Sequence, residues 1–225
     1  MTTRILFIRH GETEWNRVKR IQGHIDIPLA QSGVAQADRL AARLEREARD
    51  GSGLDAIYAS DLTRARQTAQ PSASVLGLPL QLVPGLRERH YGAFQGLERH
   101  EIAARFPEAY AVWQTRDAGF VPEGGESSRA FYDRVLSAVA DVVVAHPQGR
   151  IACVTHGGVL DCIYRRARGL SLDVPRSYPL LNASINTVEF DREGRVDIVS
   201  WGDVDHLGEA ADDDGLQPRR AAAGR

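Results

Sequence analysis

Cysteine is nearly absent from this chain of 225 residues, which has two, Cys153 and Cys162. Two thiols cannot staple a fold of this length, so packing must hold the core, and both read as reduced residues of a cytoplasmic protein. No apolar run approaches the length of a membrane span, and the N-terminus lacks the apolar stretch of a signal peptide. Net charge is small as well, −2 overall, which excludes a general affinity for nucleic acid or for an anionic membrane. Affinity for an anion would have to come from cations gathered at one place. A Walker-type loop and a dinucleotide fingerprint are both missing. Apart from two at strand ends, the histidines are scattered without metal-ligand spacing and read as surface or structural residues.

What is present is ordinary soluble composition, 43% hydrophobic and 26% charged, enough for one sizeable core. Ile5–Ile8 reads as a short buried strand. A helix should follow from Gln31, with Val34, Ala37, Leu40, Ala41, Leu44 and Ala48 on one stripe, and stop at the breaker cluster Asp50–Gly53. Leu54–Tyr58 is a second strand. Ser60 and Asp61 offer a cap for a helix from about Leu62, which Pro71 should bend or divide. A short strand near Leu80–Val83 comes next, and residues 97–118 look helical with a break at Pro107. A long helix runs from about Ser128 to His146, striped by Phe131, Val135, Leu136, Val139 and Val142. Ile151–Val154 is continuously apolar, as a strand covered on both faces should be. A helix continues through Val159, Ile163 and Tyr164, and the strands Ile185–Phe190 and Val196–Ser200 follow. Strands alternating with helices imply a single three-layer αβα sandwich over residues 1–207, with a mostly parallel central sheet. Residues 208–225 are small, charged and aperiodic, and read as a disordered tail.

Two strand ends carry the same device. Arg9, His10 and Gly11 follow the first strand, and Thr155, His156 and Gly157 follow the Ile151 strand. Carboxyl ends of parallel strands lie along one edge of a sheet, so His10 and His156 should share a crevice there. Arg64, at the start of the helix after the second strand, faces that same edge together with the helix N-terminus. Its planar fork suits a tetrahedral oxyanion.

These motifs resemble those of the histidine phosphatase superfamily, also called phosphoglycerate mutase-like. The likeness runs from Arg4 to about Leu207, through Arg9-His10-Gly11-Glu12-Thr13, Gln22-Gly23-His24, Asp26 with Pro28 and Leu29, Ser60-Asp61-Leu62-Thr63-Arg64, Glu88, Gly125-Glu126-Ser127 and His156-Gly157-Gly158. By that resemblance His10 is the nucleophile that becomes a phosphohistidine. Arg9, Arg64 and His156 clamp the phosphoryl group, assisted by Asn16, while Gln22, Gly23 and Gly157 help to bind it. Glu88 protonates the leaving oxygen and later deprotonates the attacking water. The physical logic agrees: attack requires neutral imidazole, and neighbouring guanidiniums disfavour its second proton. Fixed cations also stabilise charge spread over the transferring oxygens. A nearby phosphate favours a protonated carboxyl, which suits Glu88 to act first as an acid. The resemblance implies neither metal nor cofactor, and a metal-independent phosphomonoesterase of the histidine acid phosphatase type. Cysteine chemistry is excluded separately, because position 159, where a Cys153 phosphate loop would need arginine, is valine.

Within the family, the segment Glu88–Leu97 is similar to the cofactor-dependent mutases, where Arg89, Tyr91 and Arg99 would contact substrate. The adjacent arginines that mutases carry after the tryptophan are Gln114 and Thr115 here, and the insertion that follows is largely missing. The expectation is therefore a phosphatase acting on a small-molecule phosphate ester, with a mutase as the alternative and a non-catalytic phospho-ligand binder as the third reading. Specificity should lie in a small helical cap at about 89–127, with Arg116 as a further cation and Tyr91 and Trp113 packing the cap or touching ligand. Oligomeric state stays open, a homodimer included.

Overall fold

In the computed structural model, which describes residues 2–208, the N-terminal apolar run is strand β1, Thr2–Arg9. The expected tail lies outside the described residues except for Gly208. A short turn of helix, α1 (Glu14–Arg17), precedes α2 (Gln31–Arg49), β2 (Ala56–Ala59) and α3 (Thr63–Leu76). After β3 (Leu80–Leu82) come α4 (Arg99–Arg105) and α5 (Pro107–Gln114), separated by Phe106 where Pro107 was expected to break the pattern. The long helix is α6 (Ser128–Ala145), and β4 (Arg150–Thr155), α7 (Gly157–Arg168), β5 (Ile185–Asp191) and β6 (Val196–Asp203) complete the order.

The six strands form one sheet in the order β3-β2-β4-β1-β5-β6. The β3–β2, β2–β4 and β4–β1 pairs are parallel, and β5 is antiparallel to both of its neighbours. Only β5 therefore runs against the rest. Strand side chains alternate between two cores. Ile5, Phe7, Ile151 and Cys153 face α6 and α7, whereas Leu6, Ile8, Ala152 and Val154 face α2 and α3. This is the expected three-layer sandwich, with β4 in the doubly covered central position. Among the described residues no helix is long and apolar enough to cross a membrane.

Three local expectations are corrected. Val34 is exposed, because the buried arc of α2 is centred on Gly33, Leu40 and Leu44 and Val34 lies beyond its edge. Pro71 does not divide α3: buried Ala69 and Ala73 pack on either side of it, and that tertiary contact overrides a local cost of about 3 kcal/mol. Nor do Ser60 and Asp61 cap α3. Asp26 does so from another loop, accepting the Thr63 N–H at 2.6 Å and the Thr63 hydroxyl at 2.7 Å. Asp61 instead pairs with Arg87, accepting at 2.7 and 2.6 Å, and the Ser60 hydroxyl lies 2.8 Å from His156 Nε2.

The loop leaving β1 is pinned where backbones nearly touch. Gln36 accepts the Glu12 N–H at 2.8 Å and Thr68 accepts the Gly11 N–H at 2.9 Å. A Cβ on Gly33 would lie 2.1 Å from the Glu12 carbonyl oxygen, and one on Gly11 would lie 2.6 Å from that of Gly33. Neither approach admits a side chain. Gly33→Ala should therefore destabilise the protein by about 1–3 kcal/mol, read as a lower urea midpoint. Gly53→Ala is the control, since its Cβ meets nothing nearer than 3.9 Å; it should stay within about 0.5 kcal/mol of the parent.

Candidate active site

Parallel pairing of β1 with β4 places Arg9 opposite Thr155. The next residue of each strand is a histidine, so the register itself brings His10 and His156 together, with ring centroids 5.2 Å apart. Both imidazoles are buried, at 3% and 0% exposure. His10 Nδ1 lies 2.7 Å from the carbonyl oxygen of Gly11. A carbonyl can only accept, so Nδ1 carries the proton and Nε2 keeps its lone pair. Burial holds the His10 pKa well below the usual histidine value, aided by the positive charges of Arg64 and Arg9. The same causes, burial first and then Arg64, depress His156. His156 Nε2 meets the Ser60 hydroxyl at 2.8 Å, while its buried Nδ1 has no hydrogen-bond partner.

The cations are fixed by backbone carbonyls. Arg9 donates to the carbonyl of Leu180. Fully buried Arg64 donates to Gly23 at 2.7 Å and to Ile25 at 3.0 Å. Burial lowers the Arg64 pKa to about 10, so it remains a cation at neutral pH. Asn182, itself buried, donates to the His10 carbonyl at 3.0 Å.

Glu88 enters from an irregular segment between two 3₁₀ turns, Pro84–Leu86 and Gly92–Phe94. Its carboxylate accepts from the Arg89 N–H at 2.7 Å and from the Gly158 N–H, at the start of α7, at 2.9 Å. A Cβ on Gly158 would lie 2.1 Å from a Glu88 carboxylate oxygen, so the second glycine after His156 is what admits the acid. Each carboxylate oxygen has a second acceptor position, which leaves room for a proton on the cavity side.

Arg9, His10, Asn16, Gln22, Gly23, Arg64, Glu88, Tyr91 and Arg99 all line one open cavity of about 490 Å³. Gly157 lines an adjoining lobe of about 260 Å³ with Arg9, Glu88, Tyr91, Arg116 and Arg176. Two expected site residues line neither space: His156, which is fully buried, and Arg89, which is spent elsewhere. Its three guanidinium nitrogens donate to Glu126 O, Ser128 Oγ and Phe120 O, and it lies over the Tyr91 ring at 5.2 Å. It staples the segment over the site. Asn16 also has a structural duty, since it completes a capping box with Thr13 on α1. Trp15, next to Asn16 in α1, also lines the main cavity. Tyr91 and Trp113 both pack edge to face at 6.3 Å and line the cavity. Ser60, Asn182 and Arg176 were not anticipated; only Ser60 had a signal, its place one residue beyond a parallel strand. Among the described residues no group of three potential metal ligands occurs.

Comparison with known proteins points to one family. The family model of the histidine phosphatase superfamily (branch 1) matches residues 5–204. A metal-independent phosphoserine phosphatase of Arabidopsis thaliana is 42% identical, the match covering 91% of this chain and 83% of that protein. Phosphoglycerate mutase-like protein 4 of the same plant is 40% identical over 91% of this chain and 87% of its own length. Among solved structures, phosphoserine phosphatase from Entamoeba histolytica in complex with 3-phosphoglyceric acid superposes with a TM-score of 0.78 at 28% identity, covering 91% of this chain and 99% of that one.

The two neutral, buried histidines make stability depend on pH. Below about 6.5 the unfolded chain takes up protons that the folded chain refuses. Stability is thus full above that pH and falls as the pH drops toward the depressed folded values. The loss is about 1.4 kcal/mol per histidine per pH unit. Urea unfolding between pH 7 and pH 5 should show this slope. The double variant His10→Gln, His156→Gln should flatten it relative to the parent, and an unchanged slope would contradict neutral burial.

Proposed function

The chain belongs to the histidine phosphatase superfamily, and on that premise we propose that it hydrolyses phosphate monoesters through a phosphohistidine on His10. The observation that carries the reading is the His10 Nδ1 contact with the Gly11 carbonyl in a cationic, buried setting. It leaves a neutral imidazole with its Nε2 lone pair available beside two guanidiniums. In the first step that lone pair attacks phosphorus, the P–O ester bond breaks, and Glu88 gives its proton to the departing oxygen. In the second, the Glu88 carboxylate takes a proton from water as the water oxygen attacks. The P–N bond breaks, the electron pair returns to Nε2, and inorganic phosphate leaves. Arg9 and Arg64 hold the phosphoryl oxygens throughout and stabilise the charge that spreads over them. His156 joins them if Ser60 donates its hydroxyl proton to Nε2, since the ring proton is then on Nδ1, a buried donor that no other group of the protein satisfies.

The substrates best supported carry a second anionic group. Arg99 lines the main cavity and Arg116 and Arg176 the adjoining lobe, cations beyond those assigned to the transferring phosphoryl. The similar proteins, among them a phosphoserine phosphatase and one in complex with 3-phosphoglyceric acid, fit a phosphorylated hydroxy or amino acid. A mutase reading is favoured by the 40% identical mutase-like relative but opposed by neutral Gln114 and Thr115 after Trp113.

Phosphate release from a panel of phosphoserine, phosphoglycerates, sugar phosphates and nucleotides tests the proposal. Acidic esters should head the panel, and His10→Ala should lower kcat/KM by at least about 10⁴-fold. A 3-phosphoglycerate to 2-phosphoglycerate interconversion outpacing phosphate release would replace the phosphatase with a mutase. Absence of acid-labile labelling on His10 by any ester would make the protein a binder.

A further inference from the structure

Glu88 has no regular secondary structure to fix it, yet an acid must hold its proton within tenths of an ångström of the leaving oxygen. Its segment is held instead by its carbonyls. Four in succession accept from side chains: Gly85 from Arg134 Nη1 at 2.9 Å, Leu86 from Thr155 Oγ1 at 2.8 Å, Arg87 from Arg134 Nη1 at 3.2 Å, and Glu88 from Arg134 Nη2 at 3.2 Å. The Glu88 carbonyl also accepts from His24 Nε2 at 2.7 Å. One guanidinium on α6 thus grips three of the four carbonyls. It is aimed by Glu126, whose carboxylate accepts from Arg134 Nη2 at 2.5 Å and from Arg134 Nε at 3.3 Å. Glu126 accepts in turn from the His90 N–H at 2.8 Å, and its own N–H donates to the His90 carbonyl at 2.9 Å. The acid is therefore clamped from both sides in sequence, at 85–88 by Arg134 and at His90 by Glu126.

We propose that Arg134, aimed by Glu126, is the positioning residue for the general acid Glu88, touching its backbone and not the substrate. This gives the Gly125-Glu126-Ser127 motif a task, since Ser127 caps α6 and Glu126 directs the arginine about two turns further along. It rests on the proposed role of Glu88, so the test must separate the two ideas.

Leaving-group chemistry does so. An alkyl phosphate such as phosphoserine expels a strongly basic alkoxide and needs the acid. p-Nitrophenyl phosphate expels a weakly basic phenolate and needs it little. A loss of fold or of phosphate binding penalises both esters alike; a misplaced acid penalises the alkyl ester. With both substrates and Glu88→Gln as reference, Arg134→Met should lower kcat/KM, which reports the step in which the leaving group departs, on the alkyl ester by roughly 10–100-fold. It should lower kcat/KM on p-nitrophenyl phosphate by less than about 3-fold and leave inhibition by inorganic phosphate near the parent value. Glu126→Gln should shift the same ratio in the same direction by a smaller factor, and it decides the matter if Arg134→Met does not fold. A selective loss in Glu88→Gln without one in the Arg134 and Glu126 variants overturns the inference and leaves the acid assignment standing. No selectivity in Glu88→Gln itself overturns the acid assignment and this inference with it.

Discussion

The structure turns on the parallel pairing of β1 with β4. Once Arg9 lies opposite Thr155, the two histidines that follow have to meet at the same edge, where the paired strands end and the loops begin. Nothing else in the sheet needs to be specified for this. The flanking residues Ile5–Ile8 and Ile151–Val154 are buried on both faces, and a slip of one residue would turn every one of them to the wrong core. Hydrophobic burial thus sets the register, and the register sets the chemistry.

That edge carries an electrostatic cost. Two guanidiniums and two imidazoles are removed from water together, and the imidazoles respond by giving up their second protons. Arginine cannot respond in that way. Arg64 is held by the carbonyls of Gly23 and Ile25 while its buried Nε has no partner, and those carbonyls orient it without cancelling its charge as a carboxylate would. A site built this way is least comfortable when empty and best matched by a dianion. Burial, aided by the cations proposed to bind the phosphoryl group, keeps the His10 lone pair available, so in the proposed reaction affinity and nucleophilicity share a source.

The parts of the site legible in sequence were those whose signals are local. A histidine between a β-branched run and glycine announces a strand end, and Arg64 at a helix start announces a cation at the same edge. What was not legible depends on contacts between distant segments. Ser60 and Asp61 looked like a helix cap, but Asp26 takes the Thr63 N–H, and the Ser60 hydroxyl meets His156. Arg89 sat at a position expected to meet substrate, yet the carbonyls of Phe120 and Glu126 fold over it and take its donors. Arginines carry identical side chains into both roles, and only the packing of the segment at 89–127 distinguishes them. Pro71 failed as a breaker for the same reason: the faces of α3 were already committed to alanine packing before and after it.

The proposed preference for hydrolysis over transfer follows from what this segment holds and what it lacks. Its interior is aromatic, with Phe94 packed against Phe106, Trp113 and Phe120, and Arg89 is consumed in tying it down. A mutase must keep a second phosphate close while water stays out, which calls for several cations beside the tryptophan and a closed roof. Gln114 and Thr115 offer neither charge, and the cavity above His10 is open. Arg99, which lies over the Trp113 ring at 5.6 Å, can meet a single carboxylate at the rim without sealing it. A phosphohistidine formed under such a roof faces water as its most abundant acceptor, and Glu88, held in place through its own backbone, is the base that water would meet.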